Sequence, residues 1–207
     1  MQGRYLMEYI IQTISSKEEI GNCPVFNVDQ YNWGGDYRPK TYGSLGFIPG
    51  TGFYVKMTCE EKDPVRKYFN PNDPVHLDST MEAFFQFYPA ERPNCYINLE
   101  ANSNGALHAK YGDERNNRKI FPMELHEACQ CTGTLYENFW TLELTVPLDL
   151  IRYVYGHCDF QTGNAITCNF YKIKESEGLT HFGSFTKIEN ETPNFHLPQF
   201  FAKAVIQ

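Results

Sequence analysis

Short runs of alternating aromatic and β-branched residues, each soon cut off by Gly, Pro or Asn, recur from one end of this chain to the other. Alternation with period two puts every second side chain on one face of a strand, and breakers this frequent leave little room for long helices. The pattern predicts strands over residues 5–13, 41–47, 53–59, 81–88, 96–101, 106–111, 139–146, 165–173 and 202–206. Pro49-Gly50-Thr51-Gly52 reads as the turn of a β-hairpin, and Asn102-Ser103-Asn104-Gly105 as a second turn. In 139–146 the alternation puts Trp140, Leu142, Leu144 and Val146 on one face. Helix is confined to a serine-capped turn over 15–20, with Glu18 as its acidic partner, and a proline-led segment at 147–152 that Gly156 would end.

Many strands joined by tight turns imply an all-β chain, an antiparallel β-sandwich of jelly-roll or immunoglobulin-like kind with one or two short helices. Its 207 residues are 42% hydrophobic and 15% aromatic, enough to bury a large core. No composition break or internal repeat divides the chain, so one domain is expected over 1–207.

The formal charge of -7, with no basic run, argues against nucleic acid and anionic membranes as partners. No apolar stretch is long enough to cross a bilayer as a helix. Residues 1–9 lack the pattern of a secretory leader, because Glu8 interrupts the apolar run. The seven cysteines are odd in number and scattered, unlike a secreted disulfide framework. The expected location is the cytoplasm, or outside the cell if a leader has been removed.

The familiar catalytic patterns are missing. Gly43-Ser44-Leu45-Gly46 is not a nucleophile elbow, and there is no phosphate-binding glycine loop and no His-Glu-x-x-His pair. Asp29, Asp63, Asp73 and Asp78 lie in or beside turns, with Asn70 and Asn72 near; such loops either carry solvated aspartates or hold calcium. Glu82 and Glu100 fall on neighbouring predicted strands, beside Asp78. Paired carboxylates serve glycosidases as acid and base, and they equally accept hydrogen bonds from sugar hydroxyls. Near the C-terminus, aromatic rings alternate with amides, a lysine and histidines: Asn169-Phe170-Tyr171-Lys172, then His181-Phe182-Gly183, then Pro193-Asn194-Phe195-His196-Leu197-Pro198. Flat apolar faces beside fixed polar groups suit a pyranose ring, although most such rings fill cores.

The order of segments resembles the family 9 carbohydrate-binding modules and their stand-alone relatives. The shared features are an early Tyr31-Asn32-Trp33, a hairpin running into Asp63-Pro64, and Asp78-Ser79 leading into a strand with Glu82. After these come a strand from Tyr96 to Glu100 ending in an Asn/Gly turn, a strand from Trp140 into a proline-led helix, Asn169 on a late strand, and a Pro-Phe loop before the last strand. The resemblance covers the chain from about Asp29 onward and implies a β-sandwich that binds mono- or oligosaccharides without catalysis, alongside a glycoside hydrolase in saccharide utilisation. Structural calcium ions belong to the founding members. Of the two tryptophans that sandwich the sugar there, one falls on Phe195 and the other near Val75, where His76, Tyr68 or Phe69 would have to substitute. Asn98 stands where the family carries an arginine. The resemblance thus implies a ligand site of Phe195, Glu82, Asn98, Glu100, Asn169 and Tyr171, with no catalytic residue and no cofactor, and the residues of the C-terminal segments add Lys172 and His196 at its rim. A glycosidase using Glu82 and Glu100, or a module retained for protein interaction, are the alternatives.

Overall fold

A computed structural model describes residues 8–207, so the first part of the strand predicted over 5–13, and most of the N-terminal reading, lie outside the described residues. The strands in chain order are β1 (Glu8–Thr13), β2 (Val25–Val28), β3 (Gln30–Gly34), β4 (Thr41–Ile48), β5 (Gly52–Cys59), β6 (Thr80–Gln86), β7 (Tyr96–Asn102), β8 (Leu107–Gly112), β9 (Lys119–Ile120), β10 (Thr132–Leu135), β11 (Trp140–Pro147), β12 (Ala165–Lys174), β13 (His181–Ser184) and β14 (Ala202–Ile206). Two short helices, α1 (Met123–Ala128) and α2 (Leu148–Tyr155), lie on either side of β10 and β11. Gly156 ends α2 in the left-handed conformation with its N–H on the Arg152 carbonyl, as its place in the sequence requires. The turn at Lys17–Asn22 is a 3-10 helix, and it is Glu19, not Glu18, that bonds the Ser15 hydroxyl and N–H.

The expectation of a mostly β chain holds, but the strands form one curled, mixed sheet. Its order is β10-β11-β5-β4-β1-β14-β12-β6-β7-β8-β9, with β2 on β4 and β13 and β3 branching from β12. The mixing comes from β1. Glu8 to Ile11 run parallel to Lys203–Ile206 of β14, and then Gln12 and Thr13 run parallel to Gly46 and Phe47 of β4. One strand therefore joins the half containing β4, β5 and β11 to the half containing β6, β7 and β12. Every other strand pairing among the described residues is antiparallel.

The curl encloses the main core. Phe26 of β2 stacks on Phe170 of β12 at 3.7 Å between ring centres, and Phe53 of β5 meets Phe87 at 5.1 Å. Trp140, Leu142, Leu144 and Val146 all enter this core, which is what their alternation required. All seven cysteines are free, and all but Cys131 are buried. Among the described residues no helix is long and apolar enough to span a membrane.

One end of the core is closed by polar groups. Lys172 is fully buried, with Nζ 2.6 Å from the Ser79 hydroxyl, 2.8 Å from His181 Nε2 and 3.4 Å from Glu61. Ser79 and the Trp140 indole N–H also donate to Glu61. Burial pushes the Glu61 carboxyl up, but Lys172, Ser79 and Trp140 outweigh it and hold the pKa low.

The hairpin between β4 and β5 tests how closely β5 packs against β11. A Cβ on Gly52, at φ +140°, would lie 2.1 Å from the Val146 carbonyl oxygen, whereas one on Gly50, at φ +79°, would meet nothing within 4 Å. In urea denaturation Gly52→Ala should lose about 3 kcal/mol or more, from both strain and collision, and Gly50→Ala only about 1 kcal/mol. Equal losses would show that the β5–β11 contact is not close.

Candidate functional site

The outer face of β12, β6, β7 and β8 carries side chains in cross-strand rows. Tyr171 pairs with Glu82, Glu82 with Glu100, and Glu100 with His108, so four residues line up across four strands. The next row runs Asn169, Phe84, Asn98 and Lys110. Phe84, Tyr96, Tyr171, Ile173, Ile188, Phe195 and Phe201 form a second apolar cluster on this face, fastening the loop of 193–197 across the sheet. Between that loop and the β8–β9 connection lies a cleft of about 170 Å³. Glu82, Glu100, His108 and Lys110 come to it from the sheet, Arg115 and Arg118 from the β8–β9 connection, and Asn194, Phe195 and His196 from the loop; His76 and Glu175 also line it.

Glu82 is the unusual group. It is only 3% exposed and has no hydrogen-bond partner among the described residues. Burial raises its pKa well above the ordinary carboxylate value; Glu100 and Glu175 push the same way, against Arg118 and Arg115. Glu100 is better provided for. It accepts a 2.7 Å hydrogen bond from Asn98 Nδ2 and lies 3.5 Å from Arg118 Nη1. That ion pair is too poorly aligned to count as a hydrogen bond, and Arg118 Nη1 and Asn98 Oδ1 remain buried without a hydrogen-bond partner.

Two of the three histidines of the cleft, His108 and His196, are held neutral. His108 Nδ1 faces the carbonyls of Asn72 at 3.1 Å and Asp73 at 3.2 Å, so it must carry the ring proton, leaving Nε2 as an acceptor. Burial lowers its pKa. His196 Nδ1 lies 3.0 Å from the Tyr96 hydroxyl, and burial, followed by Arg118 and Arg115, pushes its pKa down to about 2. With Tyr96 donating to Nδ1, His196 Nε2 keeps a proton to donate.

The residues expected from the sequence therefore separate. Glu82, Glu100, Phe195 and His196 line the cleft together. Asn98 sits behind Glu100 and orients it. Asn169 is fully buried and braces Thr186, donating to its hydroxyl at 2.7 Å and accepting from its N–H at 3.1 Å. Tyr171 lies under the loop, its ring stacked on Phe195 at 4.1 Å and its hydroxyl donating to the Phe195 carbonyl at 3.1 Å. Lys172 leaves the site altogether: with Tyr171 on the outer face, strand alternation turns Lys172 into the core end described above. Phe195 is not an open platform, because Tyr171 covers one face and the ring is 5% exposed. Near the Val75 position, Val75 is buried and Phe69 is exposed away from the cleft, while His76 lines it 3.8 Å from Glu175. His108, Lys110, Arg115, Arg118, Glu175 and Asn194 were not anticipated as site residues. His108 and Lys110 alone had a signal, as members of the same alternating set.

The acidic turns are braces. Asp78 Oδ2 accepts from the N–H groups of Lys67 and Tyr68 and from Asn102, and Asp73 Oδ2 accepts from the N–H groups of Phe69 and Asn70. Among the described residues no three His, Cys, Asp or Glu side chains converge on a metal position.

Glu82 makes stability depend on pH. Folded, it keeps its proton to a higher pH than in the unfolded chain, so its contribution is complete below about pH 4 and is lost as pH rises through the folded value. Glu82→Gln removes that titration. Denaturation midpoints of the variant should gain on those of the wild type as pH rises above about 4.5, the unfolded carboxyl value, whereas parallel curves would mean that Glu82 titrates normally.

Comparison with known proteins agrees with the order of motifs. Among curated proteins none is significantly similar in sequence. The fold is shared with a presumed carbohydrate-binding protein from Bacteroides uniformis ATCC 8492, with TM-score 0.81 and 20% identity, covering 98% of this chain and 100% of that one. It is also shared with a family 9 carbohydrate-binding module from Caldicellulosiruptor kristjanssonii, solved with cellotriose (TM-score 0.68, 9% identity, 97% of this chain and 94% of that one) and with glucose (TM-score 0.69, 9% identity, 97% and 96%). The profile of carbohydrate-binding family 9 matches residues 12–206, and the chain belongs to that family.

Proposed function

We propose that the cleft binds the end of a mono- or oligosaccharide and does not turn it over. The observation that carries this reading is Glu82: a buried carboxyl without a partner, at the base of a cleft that also offers a neutral imidazole acceptor, a neutral imidazole donor and the Asn194 side chain. Alternating donors and acceptors at fixed positions are what vicinal hydroxyls need. The aromatic contact is an edge, with Phe195 and Phe182 meeting the ring's C–H groups and His196 lying across Phe84 behind them at 5.0 Å. The sugar complexes of the Caldicellulosiruptor module support the same reading.

A glycosidase is the weaker reading. Its two carboxyls must act on opposite sides of one bond, whereas Glu82 and Glu100 are directly opposed on adjacent strands and project from the same face, and Glu100 is engaged by Asn98 and Arg118. A role in saccharide utilisation beside a glycoside hydrolase goes with noncatalytic binding.

A few hydrogen bonds of about 1 kcal/mol each imply a Kd between micromolar and millimolar. Calorimetric titration with glucose, xylose and cellobiose should give saturable heat with at least one of them, weakened about tenfold or more in Glu82→Ala. Absence of heat with every sugar from a folded protein defeats the proposal, and turnover of aryl glycosides that vanishes in Glu82→Gln would replace it with hydrolysis.

A further inference from the structure

The wall of the cleft built by β8 and the β8–β9 connection is cationic, and its charge exceeds what the site itself neutralises. Glu100 answers Arg118 at 3.5 Å, and Glu175 is the second acid of the cleft, since its 3.8 Å contact with His76 is an ion pair only when that ring is protonated; two acids face three cations. Lys110 and Arg115 have no ion-pair partner among the described residues. Arg118 Nη1, though buried, has an unused hydrogen-bonding direction. In a chain of formal charge -7 with only 18 lysines and arginines, three of them on one wall of a small cleft is a marked local excess. The field is felt across the cleft, since Arg118, Arg115 and Lys110 all help to hold His196 neutral. The third acid, Glu82, offsets the wall least, because burial disfavours its charged form.

The geometry points to an acidic sugar as the ligand: a saccharide end whose ring hydroxyls meet Glu82, His108 and His196 while a carboxylate or phosphate on the ring faces Lys110, Arg115 and Arg118. The inference rests on the saccharide reading above and specifies the class of sugar. A planar guanidinium with a free N–H is suited to a carboxylate or phosphate, and a neutral hydroxyl would leave the positive wall unanswered. Because two of the three cations are at least partly open to solvent, the preference is expected to weaken with salt.

The test is calorimetric titration of the full chain with glucose, glucuronate and glucose 6-phosphate, at low ionic strength and at 0.5 M salt. The result expected is binding of at least one acidic sugar tenfold or more tighter than glucose, a preference that shrinks in salt and collapses towards unity in Lys110→Ala/Arg115→Ala. The ratio between glucuronate and glucose 6-phosphate tells which anion the wall takes. Glucose binding as tightly as both acidic sugars overturns the inference and leaves saccharide binding standing. An acidic preference that survives the double variant overturns the assignment to this wall, and failure of all three sugars to bind overturns the inference, with the saccharide reading falling too only when xylose and cellobiose also give no heat. Thermal melts of the double variant establish that any loss is not unfolding.

Discussion

Two acids facing each other across neighbouring strands, nearly out of water, are the constraint around which this face of the sheet is organised. Glu82 and Glu100 occupy one cross-strand row, where like charges repel and burial penalises each. The chain resolves the conflict unequally. Glu100 receives Asn98 and Arg118, while Glu82 receives nothing and keeps its proton instead. The result is a hydrogen-bonding group aimed into a cleft and left unsatisfied by its own protein, an arrangement that a ligand completes. His108 and His196 fit the same scheme, each spending Nδ1 on the protein and leaving Nε2 without a protein partner.

Placement of this row depends on the curl of the sheet. β1 pairs with β14 and then with β4, and so brings the β4–β5–β11 half over the inner face of β12, β6 and β7. That inner face fills with Phe85, Phe170 and their neighbours, leaving the outer face to build the site. The 193–197 loop is then fixed by stacking of Phe195 on Tyr171, which uses up the ring that family resemblance would offer to a sugar. In exchange the loop supplies His196 and Asn194. The resulting cleft has no open aromatic face and carries three cations on one wall.

Much of this was legible in the sequence, and the failures have physical causes. Strands with clean alternation, such as that beginning at Trp140, declared both their state and their buried face. The short β2, β3, β9, β10 and β13 did not, since each depends on a partner rather than on its own pattern. Glu82, Glu100 and His196 were recoverable because two lie on regular strands and the third in a proline-bounded loop. Lys172 was misplaced because a residue-type argument ignored its parity with Tyr171. Register mattered in the same way: taking 102–105 as the whole turn sets Glu100 opposite Leu107, whereas the longer connection sets it opposite His108 and gives the cleft its imidazole. Arg115 and Arg118 lie in an irregular connection, where no periodicity announces a direction.

A crystal structure of the chain saturated with a bound saccharide tests the central claim most directly. The account predicts a sugar ring lodged between the 193–197 loop and the β8–β9 connection, with a hydroxyl within hydrogen-bonding distance of the Glu82 carboxyl. A ligand seated elsewhere on the protein, with this cleft empty at saturation, would contradict it.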